Sequence, residues 1–141
     1  MPMGLMKRFA LLELIVFCSV LLLGQSNCCA HIVEMVKNIQ TKTSTENFDC
    51  TDTIYADLTW DRLQPGEHDL DARWINPTGK QQESTDYKFK TPVINSWLWL
   101  KLDEEKFSDL FHGTDEFSGD WHVDLFLDGR FLATKKFHVA C

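Results

Sequence analysis

The chain has 141 residues, 44% of them hydrophobic and 25% charged, which suits one soluble globular domain and excludes a disordered chain. Fourteen Lys and Arg face 21 Asp and Glu, and the net charge of -7 argues against a nucleic-acid partner, which needs cations facing phosphates. Ten Phe, five Trp and two Tyr are enough to fill a core.

Lys7 and Arg8 precede an uninterrupted apolar run at residues 14–24, LIVFCSVLLLG. A run of that length makes about 16 Å of helix against a bilayer core of about 30 Å, so it reads as the centre of a cleaved signal peptide, not an anchor. Glu13 blocks its extension towards the basic end. Cleavage fits after Ala30, with Cys28 two residues before it, or after Ser26. Residues 1–30 are therefore expected to be a signal peptide and residues 31–141 a single domain, periplasmic or secreted, touching the membrane only transiently. Lipoprotein anchoring through Cys28 is the rival reading; Asn27 departs from the small residue expected just before a lipidated cysteine.

Export bears on the odd count of five cysteines. Cys18, Cys28 and Cys29 leave with a signal cut after Ala30. Cys50 and Cys141 remain, an even pair in an oxidising compartment, and a disulfide between them is expected. Two unpaired thiols are the alternative.

The rest of the chain alternates with period two between turn signals, the pattern of half-buried strands. Residues 32–39 are a candidate first strand, though Val33, Met35 and Lys37 alternate poorly. Ile54, Ala56, Leu58 and Trp60 share one parity, and the stretch from Leu63 to Gly66 reads as a turn. His68, Leu70, Ala72 and Trp74 alternate next, before a second turn from Asn76 to Gly79. Residues 80–90 are polar, with Tyr87 and Phe89 in phase, and read as an edge strand ended by Pro92. Residues 97–102, WLWLKL, are apolar enough for both faces to be covered. If Leu98, Leu100 and Leu102 point inward, however, Trp97 and Trp99 point outward. Residues 103–118 break the rhythm and suggest a loop with a short helix carrying Phe107, Leu110 and Phe111 on one face. Trp121, Val123, Leu125 and Leu127 then alternate up to Asp128-Gly129, and Phe131, Phe137 and Val139 share a parity beyond it. A two-residue turn would split those two sets between opposite faces. A three-residue turn or a bulge would unite them, pairing Trp121 with Phe137, and is the expected arrangement.

These features describe an all-β, two-sheet sandwich of about seven strands. The segments Leu63-Gln64-Pro65-Gly66-Glu67-His68 and Trp74 with Asn76-Pro77-Thr78-Gly79, then Gly119-Asp120-Trp121-His122-Val123 with Asp128-Gly129, Leu132, Phe137 and Val139, resemble bacterial exported immunoglobulin-like sandwich domains over about residues 48–140. The resemblance implies the fold and export, not an activity. Cys50 and Cys141 lie at the ends, unlike the central cysteines of antibody-type domains.

No catalytic motif emerges. His31, His68, His112, His122 and His138 fall in no ligand spacing, and solvated strand histidines are the expected state, so no metal is assigned. The nearest calcium-like run, Asp115 to Asp120, lacks the twelve-residue loop pattern. The other acidic clusters read as a solubilising surface. No nucleophile elbow, phosphate loop or glycosylation sequon occurs, and no cofactor is expected. The tryptophans remain. Trp60, Trp74, Trp97, Trp99 and Trp121 either all pack internally or leave Trp97 and Trp99 as a binding surface. The expectation is a non-enzymatic module that binds a cell-envelope protein through that surface or a strand edge; a carbohydrate-binding module using the same tryptophans for a glycan is the alternative.

Overall fold

The computed structural model describes residues 31–102 and 116–141. They form eight strands: β1 (His31–Val36), β2 (Asn47–Asp49), β3 (Thr53–Trp60), β4 (Glu67–Ile75), β5 (Gln81–Lys90), β6 (Asn95–Lys101), β7 (Gly119–Leu127) and β8 (Arg130–Ala140). The count exceeds the expected seven because Asn47–Asp49 pairs in parallel with the end of β8. Three residues are too few to show an alternation in sequence. The expected signal segment and the expected helix at Phe107, Leu110 and Phe111 lie outside the described residues. Among the described residues no helix is long and apolar enough to cross a membrane.

Two sheets share one core, a three-stranded sheet ordered β1-β3-β6 and a five-stranded sheet ordered β2-β8-β7-β4-β5. Period-two alternation sends one parity of each strand inward. Val33 and Met35, then Ile54, Ala56, Leu58 and Trp60, then Leu98 and Leu100 face the core from the smaller sheet. Leu70, Ala72, Trp74, Trp121, Val123, Leu125, Leu127, Phe137 and Val139 face it from the larger. Phe137 is the aromatic hub: Phe48, Trp74 and Trp121 lie with ring centroids 5.7, 6.1 and 6.1 Å from it. Each interior indole has an acceptor: Trp60 donates to Ser96 Oγ at 2.9 Å, Trp74 to Thr85 Oγ1 at 3.0 Å and Trp121 to the Phe117 carbonyl at 2.7 Å.

Of the two arrangements expected for the β7–β8 hairpin, a three-residue turn or a bulge, the chain adopts the bulge. Asp128 and Gly129 both take positive φ, 51° and 77°, the geometry of a two-residue turn that matches strand twist. Leu127 therefore pairs with Arg130. A bulge follows at once, so that Phe126 pairs with Phe131 but Leu125 pairs with Ala133. That extra residue puts Trp121 opposite Phe137 and keeps the core parity. It also leaves Phe131 on the outer side, 61% exposed against Phe126, where sequence parity had grouped it with Phe137.

The disulfide joins Cys50 to Cys141 across a Cα separation of 5.2 Å. β2 and β8 run parallel, Asp49 beside Ala140, and the Cys50 N–H donates to the Ala140 carbonyl at 3.2 Å, so the two cysteines emerge side by side. In the chain-entropy picture, a bridge closing a loop this long stabilises the fold by about 4 to 5 kcal/mol.

Candidate functional site

β6 is an edge strand, and its sequence NSWLWLK alternates strictly between buried and exposed. Leu98 and Leu100 are inside, so Trp97 and Trp99 stand on the outer face, 43% and 53% exposed. Full coverage of both faces of this segment is thus not what the fold adopts: the larger sheet covers one face only. Of the five tryptophans three pack internally and these two do not. Across the ladder Trp99 sits beside Tyr55 and Trp97 beside Asp57.

Asp57 has outward parity yet is buried, because the chain after β1 folds back over the outer face. Ser44 bridges Val36, and the Thr45 N–H donates to the Met35 carbonyl. This brings Lys42 Nζ to 3.0 Å from Asp57 Oδ2. With its amide oriented to satisfy its neighbours, Asn95 offers its oxygen to the same ammonium at 2.8 Å. The surface is therefore an aromatic pair on a strand edge, beside an ion pair that fixes its neighbouring strand.

A second cluster was not legible as a site. His68, expected to be solvated, is 8% exposed, because its parity is that of Leu70, Ala72 and Trp74. Its Nδ1 lies 2.7 Å from Asp128 Oδ2 and its Nε2 lies 2.6 Å from the Gln64 carbonyl. A carbonyl and a carboxylate can only accept, so the geometry suits a ring that donates from both nitrogens, the imidazolium form. The Gln64 carbonyl raises the His68 pKa against the opposing effect of burial, and Asp128 raises it further. Burial pushes the Asp128 carboxyl up, but the Asp69 N–H and His68 outweigh it and hold Asp128 below the usual carboxylate range. Asp128 thus ties the hairpin tip to β4, and His68 ties both to the β3–β4 turn. Glu67, Asp69, Lys88, Phe89 and Lys90 complete the cleft around this clamp, about 520 Å³ in volume. Inward parity plus an Asp in the turn was the available signal; that they meet depends on bringing together two residues 60 positions apart, His68 and Asp128.

His122 and His138 lie on the outer face of the larger sheet, His122 opposite Lys136 and His138 opposite Asp120, as the bulged register predicts. His138 Nδ1 is 2.9 Å from Asp120 Oδ1. Among the described residues no three His, Cys, Asp or Glu side chains converge in a way that could hold a metal ion.

No family model matches this chain, and no curated protein matches it. Among solved structures, the alkylpurine DNA glycosylase AlkC of Pseudomonas fluorescens aligns at 11% identity and a TM-score of 0.46, over 79% of this chain and 30% of that one. A β-glucosidase from Listeria innocua aligns at 9% identity and a TM-score of 0.45, over 80% of this chain and 16% of that one. The chain therefore spans less than a third of either protein, and at this level neither likeness bears on what it does.

Proposed function

We propose that this chain is an exported immunoglobulin-like sandwich module that binds a protein partner in the cell envelope and catalyses no reaction. The observation that carries the reading is the outward placement of Trp97 and Trp99 on an edge strand, while the other three tryptophans are interior. Large aromatic side chains supply much of the energy of protein interfaces, and an edge strand adds main-chain donors and acceptors. The Cys50–Cys141 disulfide supports an oxidising compartment, in line with a signal peptide at residues 1–30. Capture of envelope proteins on the immobilised chain tests the reading. Trp97→Ala and Trp99→Ala should each lose the retained partner while melting close to the parent. Undiminished capture by the double variant would refute the assignment.

A glycan ligand is the second reading, favoured by the polar groups Tyr55 and Lys101 on the same face as the two indoles. Titration of a glycan panel against tryptophan fluorescence separates the two. Quenching that Trp97→Ala and Trp99→Ala abolish would replace the protein partner with a sugar.

A further inference from the structure

Among the described residues the two sheets offer four edges, and three of them are guarded. β1 is paired at its Met35–Val36 end by Ser44 and Thr45, and carries the exposed charge of Glu34. β5 carries Glu83, Asp86, Lys88 and Lys90, all exposed, and charges deter strand addition. β2 is three residues long. The fourth edge, β6, pairs with β3 on one side and with no described strand on the other. It is seven residues long, its single charge is Lys101 at the very end, and the two middle of its four outward side chains are tryptophans. An unguarded apolar edge of this length is a template for another strand.

We propose that β6 pairs with β6 of a second copy of this chain, antiparallel about a two-fold axis through Leu98, joining two three-stranded sheets into one of six. The strand is complementary to itself in this register. With the axis at Leu98 all seven residues pair: Asn95 with Lys101, Ser96 with Leu100, Trp97 with Trp99, and Leu98 with its own copy. Opposed residues in an antiparallel ladder share a face, so each Trp97 stacks beside Trp99 of the second copy, twice per dimer. Within the two strands no like charges are opposed, because Lys101 faces Asn95, and the Lys42 ammonium beside Asn95 is already paired with Asp57. Sliding by one residue would turn the tryptophans inward against the other copy's leucines, and sliding by two would leave strand ends unpaired. The inference rests on the same Trp97/Trp99 surface as the partner reading and gives that surface an occupant when no partner is present.

Sedimentation of the purified chain from about 1 to about 500 µM, the range in which small interfaces associate, reads the equilibrium. The parent should pass from monomer to dimer. Amides of residues 95–101 should exchange more slowly at the high end. W97K/W99K opposes like charges at both aromatic positions and should weaken the dimer at least about tenfold. W97K/W99E sets opposite charges against each other across the axis, with the lysine beside Asp57 in its own chain, and should recover association. A parent that stays monomeric, or whose β6 amides exchange at one rate throughout, overturns the proposal, and this arm needs no variant to fold. A W97K/W99E protein as monomeric as W97K/W99K, with both giving the parent's circular dichroism, overturns the Leu98 register. A monomer that still captures an envelope protein through Trp97 and Trp99 overturns the dimer alone; a dimer that captures none overturns the partner reading alone.

Discussion

Asp128→Asn is a sharp probe of the clamp, because it changes the charge and almost nothing else. Asn tolerates the positive φ of 51° at this turn position nearly as well as Asp, so the hairpin should keep its shape. The new amide oxygen can still accept the Asp69 N–H, now at 2.9 Å. Its NH₂ then faces His68 Nδ1, which must become an acceptor. His68 keeps its proton on Nε2 for the Gln64 carbonyl and is neutral. What is lost is one hydrogen bond between charged groups, about 1.5 to 3 kcal/mol in general. The Asp128 side chain is 47% exposed, so solvent screening favours the low end, about 1.5 kcal/mol. The pH dependence has a definite sign. The folded His68 pKa is raised, so its contribution is complete below its unfolded value of about 6.5 and is lost as pH rises through the folded value. The folded Asp128 pKa is lowered, so its contribution is complete above about 3.9 and is lost as pH falls through the folded value. The gap between parent and variant should therefore be widest from about pH 4 to 6.5 and shrink in alkali. His122 and His138 are common to both proteins and cancel in the difference. Urea unfolding should show midpoints about 0.5 to 1.5 M apart near pH 5.5 and closer together near pH 9. Equal midpoints near pH 5.5, or a His68 ring proton that titrates below the ordinary histidine value in the parent, would refute the reasoning.

Reduction of Cys50–Cys141 releases a 91-residue span and should cost about 4.5 kcal/mol, read as a lower urea midpoint in dithiothreitol; an unchanged midpoint refutes the stabilising role. Trp121→Ala deletes a side chain that is 1% exposed and touches Phe117 and Phe137, and should cost about 3 to 5 kcal/mol by calorimetry. Lys42→Met strands the buried Asp57 carboxylate and should destabilise by about 1 to 3 kcal/mol, the lysine itself being partly solvated. Adding Asp57→Leu should recover much of that loss, and a double-mutant cycle showing simple additivity would remove the pair as a unit.

The larger sheet's inner face was readable because its signals are local. Leu70, Ala72 and Trp74 on β4, and Trp121, Val123 and Leu125 on β7, alternate without interruption. Asn76 then closes the turn between β4 and β5 with its own side chain, accepting from Thr78 and Lys80. The Asp128-Gly129 turn was equally local, but its length stayed open between a longer turn and a bulge, because parity alone constrains only the total offset between the strands. A short turn with a later bulge and a longer turn without one give the same pairing of Trp121 with Phe137. They differ only over residues 130–132, where the bulge puts Phe131 outside. β2 escaped notice for the opposite reason, since Asn47–Asp49 is a strand only by virtue of β8 beside it.

Parity reports which side of a sheet a residue occupies, not whether that side is wet. On the outer face of the smaller sheet Asp57 and Trp97 are direct neighbours, both of outward parity, yet one is buried and the other 43% exposed. The difference is supplied by Lys42, fifteen residues before Asp57, whose chain folds back from β1, covers the middle of the face and reaches Asn95 at the start of β6, while Trp97 and Trp99 stay exposed. A polar residue ends up covered and two tryptophans uncovered, the reverse of what hydropathy alone would assign. Burying Asp57 is tolerable because Lys42 pairs with it. Leaving 43% of Trp97 and 53% of Trp99 in water forgoes the hydrophobic gain that burying the rest of the two indoles would bring, and nothing within the described fold recovers it. A second surface laid against β6 would recover it, which is why the interaction readings rest on this edge and not on the charged face around His122 and His138.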